Sequence, residues 1–105
     1  MKIAQKSEIL AGKMKKFETQ GKEILVANVN GNFFAIDNLC THERGDLSQG
    51  TLENNVVTCQ KHKSKFDVTT GKVVSSPKIA FFHPKIKDAT VYPLKIENED
   101  ILIKL

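Results

Sequence analysis

Short apolar-rich runs separated by turn residues organise this chain from end to end, and they predict strands rather than helices. Lys2 to Gln5 reads as a first strand, and the polar stretch through Ser7 and Gly12 as a turn. Phe17 to Gln20 and Glu23 to Val29 follow, joined by Gly21-Lys22. Asn30-Gly31 then stands between Ile24-Leu25-Val26-Ala27 and Phe33-Phe34-Ala35-Ile36. Both turn residues tolerate positive φ, so this is a strong hairpin signal. Thr51 to Glu53 and Val56 to Thr58 flank Asn54-Asn55 as a second hairpin, and Phe66 to Val68 and Lys72 to Val74 flank Thr69-Thr70-Gly71 as a third. Strands over Thr90 to Glu97 and Ile101 to Lys104, connected through Asn98-Glu99-Asp100, close the chain. The expectation is a small all-β antiparallel sandwich or barrel. At 105 residues it is expected to be one domain, residues 1–105, without linker, repeat or low-complexity segment.

Composition supports a folded domain with a small core. Hydrophobic residues make up 40% and charged residues 27%, and with no tryptophan most of the burial falls to six phenylalanines and the aliphatic residues. Lysines at positions 2, 6, 13, 15 and 16 interrupt the first twenty residues, so no signal-peptide core forms there. No stretch approaches a membrane span of about 20 apolar residues. A soluble, cytoplasmic protein is expected, with no membrane association. The net charge of +4 invites a nucleic-acid reading, but the lysines are scattered, arginine occurs once and no aromatic residues interleave with them. An acidic protein partner suits that charge better than nucleic acid does.

The chemistry is concentrated in Cys40-Thr41-His42 and Cys59-Gln60-Lys61-His62, which hold both cysteines and two of the three histidines, with sixteen residues between them. Each stretch offers one thiolate and one imidazole. Four such ligands suit a single structural zinc ion. They also suit a 2Fe-2S cluster in which the cysteines hold one iron and the histidines the other. Spacing alone leaves both open. The hairpin at Asn54-Asn55 accounts for the insert, because a chain that goes out along one strand and returns along the next sets the two ligand stretches side by side. His83, between Phe81-Phe82 and Pro84 with no cysteine nearby, reads as a loop histidine, and Phe81 and Phe82 as core cover.

Around the ligands stand Gly45, Leu47-Ser48, Gly50, Ser64, Phe66-Asp67, Thr70-Gly71, Pro77 and Tyr92-Pro93. From about Asn28 to the C-terminus this resembles the Rieske-type ferredoxins and ferredoxin-like domains of oxygenase systems. Three features depart from that family. Gln60 replaces its usual proline, Lys63 replaces its usual glycine, and the segment from Lys78 to Val91 is longer than usual. The resemblance implies a Rieske fold whose cluster-binding part, about residues 38–78, consists of two ligand hairpin loops. It also implies one Rieske 2Fe-2S cluster held by Cys40, His42, Cys59 and His62. With only two cysteines, both committed as ligands, the chain lacks the disulfide of the membrane-anchored Rieske proteins.

The implied function is a soluble one-electron carrier between a reductase and an oxygenase or other oxidoreductase, not an enzyme, since no nucleophile–base set accompanies the site. The resemblance puts Ser64 at a position whose hydroxyl bonds cluster sulfur, and Phe66 where high-potential relatives have tyrosine. A potential at the low end of the Rieske range, on the order of −150 mV, follows. It should fall further at alkaline pH as the ligand histidines lose protons. Two other readings use the same residues: a zinc-stabilised interaction module, and a Rieske small subunit of a larger oxidoreductase such as nitrite reductase. Lys61, Lys63 and Lys65 beside His62, with Arg44 after His42, predict a basic rim for transient docking to an acidic partner.

Overall fold

The computed structural model describes residues 1–41, 44–61, 63–76 and 85–105. Its regular elements are almost all strands: β1 (Lys2–Gln5), β2 (Met14–Thr19), β3 (Lys22–Val29), β4 (Asn32–Asp37), β5 (Thr51–Glu53), β6 (Val56–Thr58), β7 (Lys65–Asp67), β8 (Val73–Ser75), β9 (Val91–Tyr92), β10 (Leu94–Glu97) and β11 (Asp100–Ile103). Among the described residues two single 3-10 turns, Lys6–Glu8 and Leu47–Gln49, are the helical exceptions. The strands form three antiparallel sheets in the orders β1-β11-β10, β2-β3-β4-β9 and β5-β6-β7-β8. Among the described residues no helix is long and apolar enough to cross a membrane.

Why three sheets hold together is written in β3. Its apolar run does not alternate with polar residues, and Ile24, Leu25, Val26, Ala27 and Asn28 are all buried. Successive side chains of a strand point to opposite faces. Ile24 and Val26 accordingly join Ala4, Ile9, Ala35, Tyr92, Ile101 and Ile103 in one core. Leu25 and Ala27 join Ile36, Leu47, Val57, Phe66, Val68 and both cysteines in a second. The β2–β3–β4–β9 sheet is thus the middle layer, covered on one face by the terminal strands and on the other by the β5–β8 sheet and its loops.

The hairpins at Asn30-Gly31 and Asn54-Asn55 fall at the expected turns, while the turn expected at Gly21-Lys22 lies at Gln20-Gly21, with Lys22 already paired in β3, and the strands of the third hairpin are Lys65–Asp67 and Val73–Ser75. Asn30 and Gly31 both have positive φ, 54° and 90°. This is the turn whose twist matches its strands. Asn54 is likewise positive, at 54°. Two further expectations change. The strand expected over Thr90 to Glu97 is two strands, with Val91–Tyr92 pairing β4 and Leu94–Glu97 pairing β11. Pro93 between them has no N–H to give a ladder, and the chain changes sheets there. The strand expected from Phe17 begins at Met14, because Lys15 and Lys16 lie in register opposite Val26 and Leu25.

Candidate metal centre

Cys40 follows β4 and Cys59 follows β6, and the chain leaves both cysteines by the same turn. The Cys40 N–H donates to the Gly45 carbonyl (2.7 Å) and the Arg44 N–H donates to the Cys40 carbonyl (3.0 Å). In the second loop the Cys59 N–H donates to the Ser64 carbonyl (2.8 Å) and the Lys63 N–H donates to the Cys59 carbonyl (3.1 Å). The fifth residue of each loop is left-handed, Arg44 at φ 55° and Lys63 at φ 62°. Lys63 therefore takes the left-handed conformation that a glycine would take without cost.

The sixth residue of each loop lies against the cysteine of the other. The Ser64 hydroxyl is 3.2 Å from the Cys40 sulfur. Gly45 sits so close to Cys59 that a Cβ on it would come within 2.8 Å of that sulfur. The two thiols thus converge from two equivalent loops, each pressed into the other. Both are almost fully buried, at 3% and 2% exposure, in an apolar cluster that includes Leu25, Leu47, Val57 and Phe66. Two thiolates in such surroundings are costly unless positive charge is bound to them. This soft, dry donor pair fits an iron–sulfur group.

Polar groups hold the first loop by its base. Asn38, fully buried, donates to Asp46 Oδ1 (2.7 Å), and its own side-chain oxygen accepts from the Ser48 N–H (3.0 Å). Lys16 reaches Asp46 Oδ2 at 3.3 Å. Burial pushes the Asp46 carboxyl up, but hydrogen bonds from Ser48, Asn38 and Lys16 outweigh it and hold the group at about 2. Asp67, after the second loop, is also lowered: burial raises it, and bonds from Thr69, Asn55 and Thr70 overcome that. At Asp37 burial, helped by Glu23, outweighs Lys22, Arg44 and the Asn38 N–H and raises the carboxyl.

A strap of residues 85–90 closes the side of the first loop. The Thr41 hydroxyl donates to the Lys87 carbonyl (2.6 Å), Asp88 Oδ1 accepts from the Val73 N–H (2.9 Å), and the Ala89 N–H donates to the Gly71 carbonyl (2.7 Å). The strap passes so close to Gly71, at φ +79°, that a Cβ there would lie 2.3 Å from the Ala89 carbonyl oxygen.

Of the residues singled out in the sequence, Cys40 and Cys59 share one buried cluster and Ser64 touches a cysteine sulfur. Phe66 is fully buried beside them. His42, His62, Phe81, Phe82 and His83, with Pro77 and the start of the long Lys78–Val91 segment, lie outside the described residues. Asn38, Asp46 and Thr41 did not stand out in the sequence. Asp46-Leu47-Ser48 was the available signal, since the Asp46 side chain accepts from the Ser48 N–H to cap the 3-10 turn.

Fold and loops together define a small protein built to bury a pair of soft ligands at one end. The Rieske [2Fe-2S] domain family matches residues 1–92. The ferredoxin component of the naphthalene 1,2-dioxygenase/salicylate 5-hydroxylase systems of a Ralstonia species is 38% identical, over 93% of this chain and 88% of that protein. The ferredoxin component of biphenyl 2,3-dioxygenase from Rhodococcus jostii (strain RHA1) is 36% identical over 99% and 91%. Among solved structures, the Sphingomonas yanoikuyae B1 ferredoxin matches with a TM-score of 0.85 at 27% identity, covering 100% of this chain and 97% of that one. A chain in the complex of reduced oxygenase and oxidized ferredoxin of carbazole 1,9a-dioxygenase matches at 0.86 with 26% identity, over 98% and 90%. The chain belongs to the Rieske [2Fe-2S] family. Its cofactor is one 2Fe-2S cluster.

Proposed function

We propose that Cys40, His42, Cys59 and His62 hold the cluster, and that the chain is a one-electron carrier between a reductase and an oxygenase, acting in the cytoplasm and not itself an enzyme. The observation that carries this reading is the reciprocal fit of the two loops. Gly45 lies against the Cys59 sulfur and the Ser64 hydroxyl against the Cys40 sulfur, in an apolar cluster with Phe66. Relatives named as ferredoxin components of dioxygenase systems support the partners.

When bound, the cluster supplies one reversible electron. The chain's own residues tune how readily. The Ser64 hydroxyl lies 3.2 Å from the Cys40 sulfur, and with that sulfur a cluster-bound thiolate it would donate to it and stabilise the more electron-rich reduced state. Phe66 excludes water but has no hydroxyl to add a second such bond. Together they favour a potential on the order of −150 mV.

The experiment is a visible absorption spectrum together with EPR of the dithionite-reduced protein. A coloured protein with the low average g value of a histidine-ligated 2Fe-2S centre is expected, with loss of that signal in H42A and H62A. A colourless protein that binds zinc after anaerobic reconstitution would overturn the carrier reading.

A further inference from the structure

The cysteines are inside, but the stretches that bracket the two ligand-candidate histidines are outside. Thr41 and Arg44 on either side of His42 are exposed, as are Lys61 and Lys63 on either side of His62. An electron passes between proteins only over a short gap, so this is the end a redox partner must approach.

That end is positively charged beyond what the composition requires. Between Asn38 and Val91 there are eight lysines and arginines against five acidic residues, while the rest of the chain has eight against seven. Most of the acidic side chains in the first group are turned to internal work. Asp46 is bound by Asn38, Ser48 and Lys16, Asp67 accepts from Thr69, and Asp88 accepts from the Val73 N–H. Glu43 lies outside the described residues. Of the basic residues, Arg44 acts on Asp37 across the loop base, and the lysines are less occupied. Among the described residues ion pairs engage Lys2, Lys15 and Lys16, and none engages Arg44, Lys61, Lys63, Lys65 or Lys87. Lys87 joins this rim through the bond from Thr41 to its carbonyl. The excess of positive charge thus falls in the segment that carries the loops, and Lys61, Lys63, Lys65 and Lys87 present it on exposed side chains.

We propose that this end is a cationic docking surface for a protein face rich in Asp and Glu carboxylates on the redox partner. The inference rests on the electron-carrier reading and adds the chemistry of the partner. Unpaired exposed charges contribute little to folding. Around an exit point they raise the encounter rate with an anion and lose that effect in salt.

The test uses the cluster-loaded protein, reduced with dithionite and mixed in a stopped-flow instrument with ferricyanide or with a trivalent cationic cobalt complex. Salt is varied from about 0.01 M to about 0.15 M, over which the Debye length falls from ~30 Å to ~8 Å. Oxidation by ferricyanide is expected to slow by about tenfold as salt rises, and oxidation by the cobalt complex to quicken. Poly-L-glutamate, a carboxylate-bearing polypeptide, should inhibit the ferricyanide reaction at low salt. K61E/K65E should reverse the sign of the salt dependence and abolish that inhibition. K95E/K104E makes the same change of net charge away from the loops and should do neither. Equal responses of the two variants, or wild-type rates indifferent to salt, would overturn the docking proposal while a normal cluster spectrum leaves the carrier reading intact. An absent cluster spectrum would overturn both.

Discussion

Ser64 and Lys63 are neighbours in one loop and act in opposite senses. Ser64 is 1% exposed and its hydroxyl lies 3.2 Å from the Cys40 sulfur. S64A removes a hydrogen bond that is stronger to the reduced, more negative site than to the oxidised one. A redox titration should show a fall of roughly 40 mV, equivalent to ~1 kcal/mol for one electron, and an unchanged potential would remove Ser64 from the tuning of the site. Lys63 instead carries a cost, since φ 62° crowds its Cβ against its own backbone. K63G relieves the crowding and loses a little to chain entropy, so the variant should be about 0.5–1 kcal/mol more stable in thermal or denaturant unfolding. K63A, which keeps the Cβ, should show no such gain.

At the scale of elements, the first ligand loop is fixed at its base by the Asn38–Asp46–Ser48 network and at its side by the strap of residues 85–90. The network makes a pH prediction. Asp46 sits at about 2, below its ordinary 3.8, so it binds fewer protons in the folded state. Its contribution is fully present above pH ~4 and is lost as pH falls towards 2. The side chain is about a third exposed, which reduces the contribution to about 1–2 kcal/mol. D46N should be less stable by that amount at neutral pH and should lose less stability than the wild type between pH 4 and 2, read from urea unfolding at each pH. The strap makes a second prediction. In G71A the new methyl group meets the Ala89 carbonyl at a positive φ. The strap must move, at a cost of at least ~2 kcal/mol, and the Ala89 amide should lose hydrogen-exchange protection. Full protection of that amide would show that the strap is held some other way.

At the scale of the whole molecule, the two cores depend on the cluster to different degrees. One core, with Ile24, Val26, Ala35, Ile101 and Ile103, contains no cysteine. The other buries both cysteines with Val57, Phe66 and Val68 from the small β5–β8 sheet. A group that binds only the folded state stabilises what it touches. Removing iron should therefore leave amide protection in β1 and β11 largely intact and lower it in β6 and β7. Hydrogen exchange of the loaded and iron-free protein would show this, and uniform loss across all strands would mean that the molecule folds as one unit around its cofactor.

The sequence alone determined the class of element, most turns and the chemistry. Asn30-Gly31 and Asn54-Asn55 carry their own backbone preferences, so hairpins could be read from them locally. Cysteine and histidine in two close-set pairs restrict the ligand whatever surrounds them. The run Ile24-Leu25-Val26-Ala27 was legible as a strand, but its burial on both faces depends on sheets formed by residues far away in the chain. Pro93 marked a break whose meaning, a change of sheet, appears only once both partner strands are in place. Tertiary structure alone paired Gly45 with the Cys59 sulfur and Ser64 with Cys40, tied Thr41 to Lys87, and occupied Asp46 and Asp67 internally while leaving the loop lysines exposed. Such choices depend on distances between residues remote in sequence, and no local preference encodes them.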